Sequence, residues 1–345
     1  MKGPSGRKDK EQGQAMRRRT TILSIALAAF IIGASFLAEA QEHKAARIWR
    51  IGWLSPTASA TGAVQLDALR KDLAELGYVE RRNITIEARW ADDDFTQLPR
   101  LSRALVELNV NIICSSGTPA TLAAKQTSTT IPIVFGQAAF PDRTGLVASL
   151  AHPGGNLTGL TFIGPEYGKR LELLREVFPK TSRVVVLYND QNIASVLAMA
   201  ETQQWAQNLH VAIEPLGAHD RASLEAAFTV IRRGGPDALL TTADPWLVSY
   251  RRQIVEFASG RHLPSMYGDR EYVVAGGLMF YGTSITDMWR HAAIYVDRIL
   301  KGTKPGDLPV EQPTKFELVI NMKTAKSLGL TIPAAVRLRA DRLIE

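Results

Sequence analysis

The residues best placed to do chemistry lie in the run Asn111-Ile112-Ile113-Cys114-Ser115-Ser116-Gly117-Thr118-Pro119-Ala120. Ile112 to Cys114 suit a short buried strand, and Ser115, Ser116 and Gly117 then break the apolar pattern. Thr118 is a good helix N-cap and Pro119 falls where a first helical turn tolerates proline, so a helix is expected through Lys125. A strand that ends this way sets hydroxyls and free backbone N–H groups at its carboxyl end, the place where open α/β sheets bind ligands. The start of the helix favours a negative group such as a carboxylate. The same residues read equally well as nothing more than a capped helix after a turn.

Other reactive side chains carry weaker patterns. Cys114 is the single cysteine, so no disulfide and no cysteine-based metal site can form within the chain. Inside a strand it is expected to be a small core residue. The six histidines are scattered without an HExxH-like pair. Asp92-Asp93-Asp94, just before a helix, read as a solvated turn that suits the helix dipole and not as a metal cluster. No G-x-S-x-G elbow occurs. Ser116 could act as a nucleophile only with a histidine beside it, and His152, His210 and His262 have no motif that would place one there. No catalytic residue, metal or cofactor is expected.

The elements that must hold these residues alternate regularly. Arg47 to Leu54 reads as a strand, Gly62 to Leu76 as a helix closed by Gly77, Ile84 to Trp90 as a strand and Leu98 to Leu108 as a helix. Ile131 to Phe135 is the next strand after the opening run. Gly145 to His152 suggests a short helical patch, and Leu157 to Ile163 a strand crossing between two domains. The alternation then restarts. Helices are expected at Glu166–Phe178, Ala194–Asn208, Arg221–Arg233 and Trp246–Ser259, and strands at Ser182–Tyr188, Val211–Leu216, Ala238–Thr242 and Pro264–Tyr267. Gly276 to Tyr281 is a strand, Ile285 to Leu300 a helix and Phe316 to Asn321 a strand followed by a short helix. Repeated β-α units argue for parallel, doubly wound sheets in two halves.

Composition is ordinary for a globular chain of 345 residues, 46% hydrophobic and 22% charged, with ample length for two domains. The formal charge of +7 is concentrated at the front, where residues 1–40 hold seven basic and three acidic side chains. The remainder carries only +3, which is no argument for a nucleic-acid partner. Arg17-Arg18-Arg19 precede sixteen mostly apolar residues, Ile22 to Leu37, and Ala38-Glu39-Ala40 supply an A-x-A cleavage pattern before Gln41. Sixteen helical residues span roughly 24 Å, short of the roughly 30 Å hydrocarbon core of a bilayer. A removed signal peptide is therefore expected in preference to an uncleaved anchor. Met16 is an alternative start, and a periplasmic location is expected.

Three stretches carry a resemblance: GLVASLAHPGGNLTGLTF (Gly145 to Phe162), AGGLMFYG (Ala275 to Gly282) and LPVEQPTKFELVINMKTAKSLGLTIP (Leu308 to Pro333). They resemble the ABC-transporter substrate-binding proteins related to the tryptophan/tyrosine-binding type, from about residue 48 to the C-terminus. The resemblance implies a type I periplasmic binding protein fold: α/β, two doubly wound parallel-sheet lobes joined by a hinge of three crossings, with ligand held between them. It implies delivery of a small molecule, an amino acid or similar carboxylate, to an ABC transporter permease. The expected organisation is a signal peptide at 1–40, an N-terminal lobe of 47–160 plus about 283–305, and a C-terminal lobe of 161–280 plus about 312–345. On that fold the strand ends face the cleft. They supply Ser55, Ser116, Gly117 and Thr118 from the first lobe, and Asn189, Asp244, Tyr267 and Glu271 from the second. Hydroxyls and a helix N-terminus would hold a carboxylate, Asp244 an ammonium, and an aromatic ring the side chain. Asp244 before Pro245 reads equally as a helix cap, and Asn189-Asp190 as turn chemistry. A monomer is expected. A ligand-sensing periplasmic domain, or an exported α/β hydrolase, are the alternative functions.

Overall fold

The computed structural model describes residues 48–162 and 166–345. The expected leader, and Ile163 at the end of the expected crossing strand, lie outside the described residues.

Two parallel-dominated sheets with helices on their faces account for the fold. In the first half, β1 (Trp49–Ser55), α1 (Ser59–Glu75), β2 (Ile84–Trp90), α2 (Leu98–Glu107), β3 (Ile112–Ser116), α3 (Gly117–Thr127), β4 (Ile133–Ala138) and β5 (Leu157–Thr161) follow one another. Their strands form a sheet of order β2-β1-β3-β4-β5. Every pairing in it is parallel, with Ile51 opposite both Ile86 and Ile112. Strands covered on both faces carry continuous apolar runs, and β3 and β4 are buried throughout.

The second half runs α4 (Glu166–Val177), β6 (Arg183–Tyr188), α5 (Ile193–Asn208), β7 (Ala212–Gly217), α6 (Arg221–Gly234) and β8 (Ala238–Thr241). It continues with α7 (Pro245–Ser249), α8 (Arg251–Gly260), β9 (Ser265–Tyr267), α9 (Arg270–Val274) and β10 (Met279–Thr283). After α10 (Ile285–Leu300) come β11 (Phe316–Asn321), α11 (Met322–Ser327), α12 (Ala334–Arg339) and β12 (Arg342–Ile344). The second sheet has the order β12-β11-β10-β9-β8-β6-β7, and β10–β11 is its antiparallel pairing.

Helix α10 follows a strand of the second sheet but packs on the first, against α1, β4 and β5. Its Trp289 meets Trp53 of β1 with ring centroids 4.5 Å apart. Gly136 makes that approach feasible, since a methyl group there would stand 2.3 Å from the Trp289 ring. The chain then returns, and β11 and β12 complete the second sheet.

Several local expectations change. Trp246–Ser259 is two helices, because Tyr250 leaves helical geometry (ψ 12°) and its N–H closes a tight turn onto Leu247. Gly145 to His152 forms turns and bends, with Gly145 in the left-handed region (φ 74°), although Leu146 and Val147 are buried as a helical face would be. The short elements α9, α12 and β12 went unanticipated. Thr118 does not cap α3: Ser116 occupies the cap position without a side-chain cap bond, and Gly117 opens the helix at φ 79°. Nor is the aspartate run simply solvated. Asp94 caps the following turn through Thr96 N–H, while Asp93 accepts a hydrogen bond from Ser249 Oγ of α7, across from the first sheet to the second.

Candidate functional site

The carboxyl ends of both sheets converge on a small cavity of about 40 Å³, lined from the first sheet's side by Thr57, Ser116, Gly117, Thr118 and Gln137. Asn192, Ala243, Asp244, Pro245 and Asp269 line it from the second, with Phe162, Val248 and Ile285 as apolar walls. A larger cavity of about 460 Å³ lies beside the crossings, between Asp287, Met288 and His291 of α10 and Gln312 to Lys315. We place the candidate site in the smaller one. It lies at strand ends and helix starts contributed by both sheets, where backbone groups point free.

On the first wall, Ser116 Oγ donates to Gln65 Oε1 at 2.8 Å and accepts from Gln137 Nε2 at 3.2 Å. Gln137 is 7% exposed, and its Oε1 has no hydrogen-bond partner among the described residues. A buried acceptor left unmade is costly, so such an oxygen beside a cavity marks a place for a donor. Thr118 Oγ1 accepts from Ala139 N–H at 3.0 Å, which ties the start of α3 to the end of β4. Ser55 and Thr57 share a hydroxyl–hydroxyl bond of 3.1 Å, and of the two Thr57 reaches the cavity.

The second wall is built from helix caps. Asp244, 2% exposed, caps α7 by accepting Leu247 N–H at Oδ1. The same oxygen accepts from Asn189 Nδ2 at 3.2 Å, and Oδ2 from Asn192 Nδ2 at 2.7 Å. Burial holds the Asp244 carboxyl above its ordinary range, and these donors offset part of that rise. Asn192 Oδ1 caps α5 through Ala194 N–H, and Asn189 Oδ1 accepts Gln191 N–H. Asp269 is half-buried, caps α9 through Glu271 N–H, and is raised by burial to about 6.

Of the residues read from the sequence, Ser116, Gly117, Thr118 and Asp244 come together around the cavity. Ser55 and Asn189 stand one layer behind, holding Thr57 and Asp244. Tyr267 is in the core, stacked on Tyr272 at 4.6 Å, so its ring covers no part of the cavity. Glu271 contributes its backbone N–H to the Asp269 cap and does not line the cavity. Thr57, Gln137, Asn192 and Asp269 were missed. Gln137 was discoverable as the one polar side chain in the apolar run Ile133 to Ala138, and Asn192 as a helix-cap residue.

The two sides also touch around the cavity. A methyl group at Gly117 would stand 3.2 Å from Pro245 Cγ. At one flank lies the Ser249–Asp93 bond, with Asp93 raised by burial. At another, Arg143 pairs with Glu201 at 2.6 Å and Phe140 stacks on Tyr167 at 5.9 Å.

Comparison with known proteins bears on this geometry. A tyrosine-binding protein of Clostridioides difficile (strain R20291) is 26% identical over 260 residues, 75% of each chain. The crystal structure of a conserved domain protein from Vibrio cholerae O1 biovar El Tor superposes with a TM-score of 0.81 at 26% identity, covering 86% of this chain and 99% of that one. An ABC domain from Streptococcus pneumoniae in complex with L-Trp gives the same TM-score at 24% identity and the same coverage. The fold is thus of the type I periplasmic-binding-protein kind. Binding proteins, not enzymes, make up the family whose sequence pattern matches residues 62–344, and the chain belongs to it: the ABC transporter substrate binding protein family.

Proposed function

We propose that the protein is exported through its leader and captures an amino acid between its lobes in the periplasm. It then hands that solute to an ABC transporter permease, acting as a monomer. The observation that carries this reading is the convergence of the Ser116-Gly117-Thr118 turn and the Asp244 cap on one cavity, with Gln137 Oε1 left for a donor. The start of α3 and the Thr57 hydroxyl receive the carboxylate, Ser116 holds the turn in place through Gln65 and Gln137, and Asp244 receives the α-ammonium. The relatives named for tyrosine binding and for bound L-Trp support an amino acid as the class of solute.

The lobes follow the two sheets. Residues 47–160 with about 283–305 make the N-terminal lobe, and 161–280 with about 312–345 the C-terminal one; α10 packing on the first sheet and β11 joining the second support this division. Three crossings then act as a hinge, and ligand shifts the population toward the closed form. Calorimetric titration with a panel of amino acids, run beside small-angle scattering, tests the reading. Binding with compaction is expected. No binding by any amino acid, or an unchanged radius at saturation, overturns it.

A further inference from the structure

The cavity of about 40 Å³ has Gln137 of the first half and Asp244 of the second on its lining. One water-sized group needs roughly 10–15 Å³ of such space. The cavity therefore seats the head of an amino acid, its ammonium, Cα and carboxylate, and little of a side chain. Polar groups on its two sides address that head.

Two hydrogen bonds fix what Gln137 offers. Ser116 has one hydroxyl proton and gives it to Gln65 Oε1 at 2.8 Å. Toward Gln137 the hydroxyl can then only accept, and it takes the Nε2 proton at 3.2 Å. This holds the Gln137 amide so that Oε1 is the end left over, buried and without a partner among the described residues. Asp244, by contrast, comes to the cavity almost fully engaged. An ionised carboxylate accepts at about four positions. Leu247 N–H and the amides of Asn189 and Asn192 take three of them. An ammonium has three protons to give, more than Asp244 has room for. Asp269 is not free to help, since it caps α9 and is faced by Arg170 and Arg251. Within the head the carboxylate only accepts, so the ammonium is the group to which Gln137 Oε1 can bond.

We infer that Gln137 determines specificity for the solute's ammonium: its Oε1 shares the α-ammonium with Asp244, so one group of the ligand is bonded by both halves of the protein. The inference rests on the amino-acid reading above and deepens it. It sets the class as solutes with a free α-ammonium. A 2-hydroxy acid of the same skeleton has a single proton to give, which satisfies Asp244 or Gln137 but not both.

The test is calorimetric titration with L-tryptophan, L-leucine and L-alanine, and with their 2-hydroxy analogues indole-3-lactate, 2-hydroxy-4-methylpentanoate and lactate. It is run on wild type, Gln137→Leu and Gln137→Glu, with thermal melts in parallel. For the amino acid that wild type binds best, a preference of about a hundredfold over its hydroxy analogue is expected. Gln137→Leu is expected to narrow that preference about tenfold, by weakening the amino acid while leaving the hydroxy acid within about twofold. Gln137→Glu keeps an acceptor at the same reach, so the preference should stay at the wild-type level or above. A preference unchanged in Gln137→Leu, or narrowed as far in Gln137→Glu, overturns the inference and leaves the amino-acid reading standing. Should Gln137→Leu not fold, the preference in Gln137→Glu decides. If wild type binds none of the three amino acids, both readings fall together.

Discussion

The two walls of the cavity are made by different means. The first is neutral and local: a strand end, a glycine with φ 79° and two hydroxyls contiguous in sequence, with Gln137 reaching over from the neighbouring strand. The second is charged and assembled from three separate helix starts, at Asn192, Asp244 and Asp269. A local wall tolerates change because each hydroxyl has its own partner. An assembled wall fails as a unit, because Asp244 is the acceptor that Asn189, Asn192 and the α7 backbone all share.

That contrast is open to breaking. The largest effect should come from Asp244→Ala, which leaves the two asparagine amides and Leu247 N–H without their acceptor. At roughly 1–3 kcal/mol for each unsatisfied buried group, about 3 kcal/mol or more of stability should be lost, together with binding. Ser116→Ala on the other wall leaves one buried donor, Gln137 Nε2, without its acceptor, and should cost about 1–2 kcal/mol. Urea unfolding of both variants decides, and equal losses would erase the distinction between the walls. Gln137→Leu comes next: with its donor Nε2 tied to Ser116, the change should leave stability nearly intact yet weaken ligand binding about tenfold by calorimetry.

Proton uptake sharpens the comparison, because the first wall has no titrating side chain among the described residues. Asp269 has a folded value of about 6, above its ordinary 3.8, so the folded state holds this proton more tightly than the unfolded chain does. The stability of the ligand-free protein should therefore rise, through this group, as pH falls from about 6 toward 4, and Asp269→Asn should remove that component of the profile. Urea unfolding of wild type and Asp269→Asn across this interval checks it, and identical profiles would mean that Asp269 keeps an ordinary value. The smallest effect is assigned to Ser249→Ala, which removes the Asp93 bond between the two sides. A loss of about 0.5–1 kcal/mol, a few-fold in affinity, is expected only if the contact belongs to the ligand-bound form.

The same contrast explains what could be read in advance. Elements with a clear period were placed well: β2 at Ile84–Trp90, α10 at Ile285–Leu300 and β11 at Phe316–Asn321 match their periodic patterns. The first wall was legible because its residues are adjacent. The second was legible only at Asp244, where proline follows the cap. Asp269 precedes a five-residue helix, too short to show a period. Gln137 was lost because β4, covered on both faces, shows no alternation and was ended too early, at Phe135. Tyr267 was misplaced because a three-residue strand says nothing about which face its last ring takes, and stacking on Tyr272 decided it.

The return of α10 to the first sheet sets an order of events in time. A chain emerging from its N-terminus has all five strands of that sheet by Thr161, yet the helix that covers one face begins only at Ile285. Until then Ile51, Trp53 and Leu69 lack the Trp289, Ala292 and Val296 they finally pack with. The first half therefore cannot finish folding on its own during synthesis, and it stays threadable until nearly the whole chain has been made.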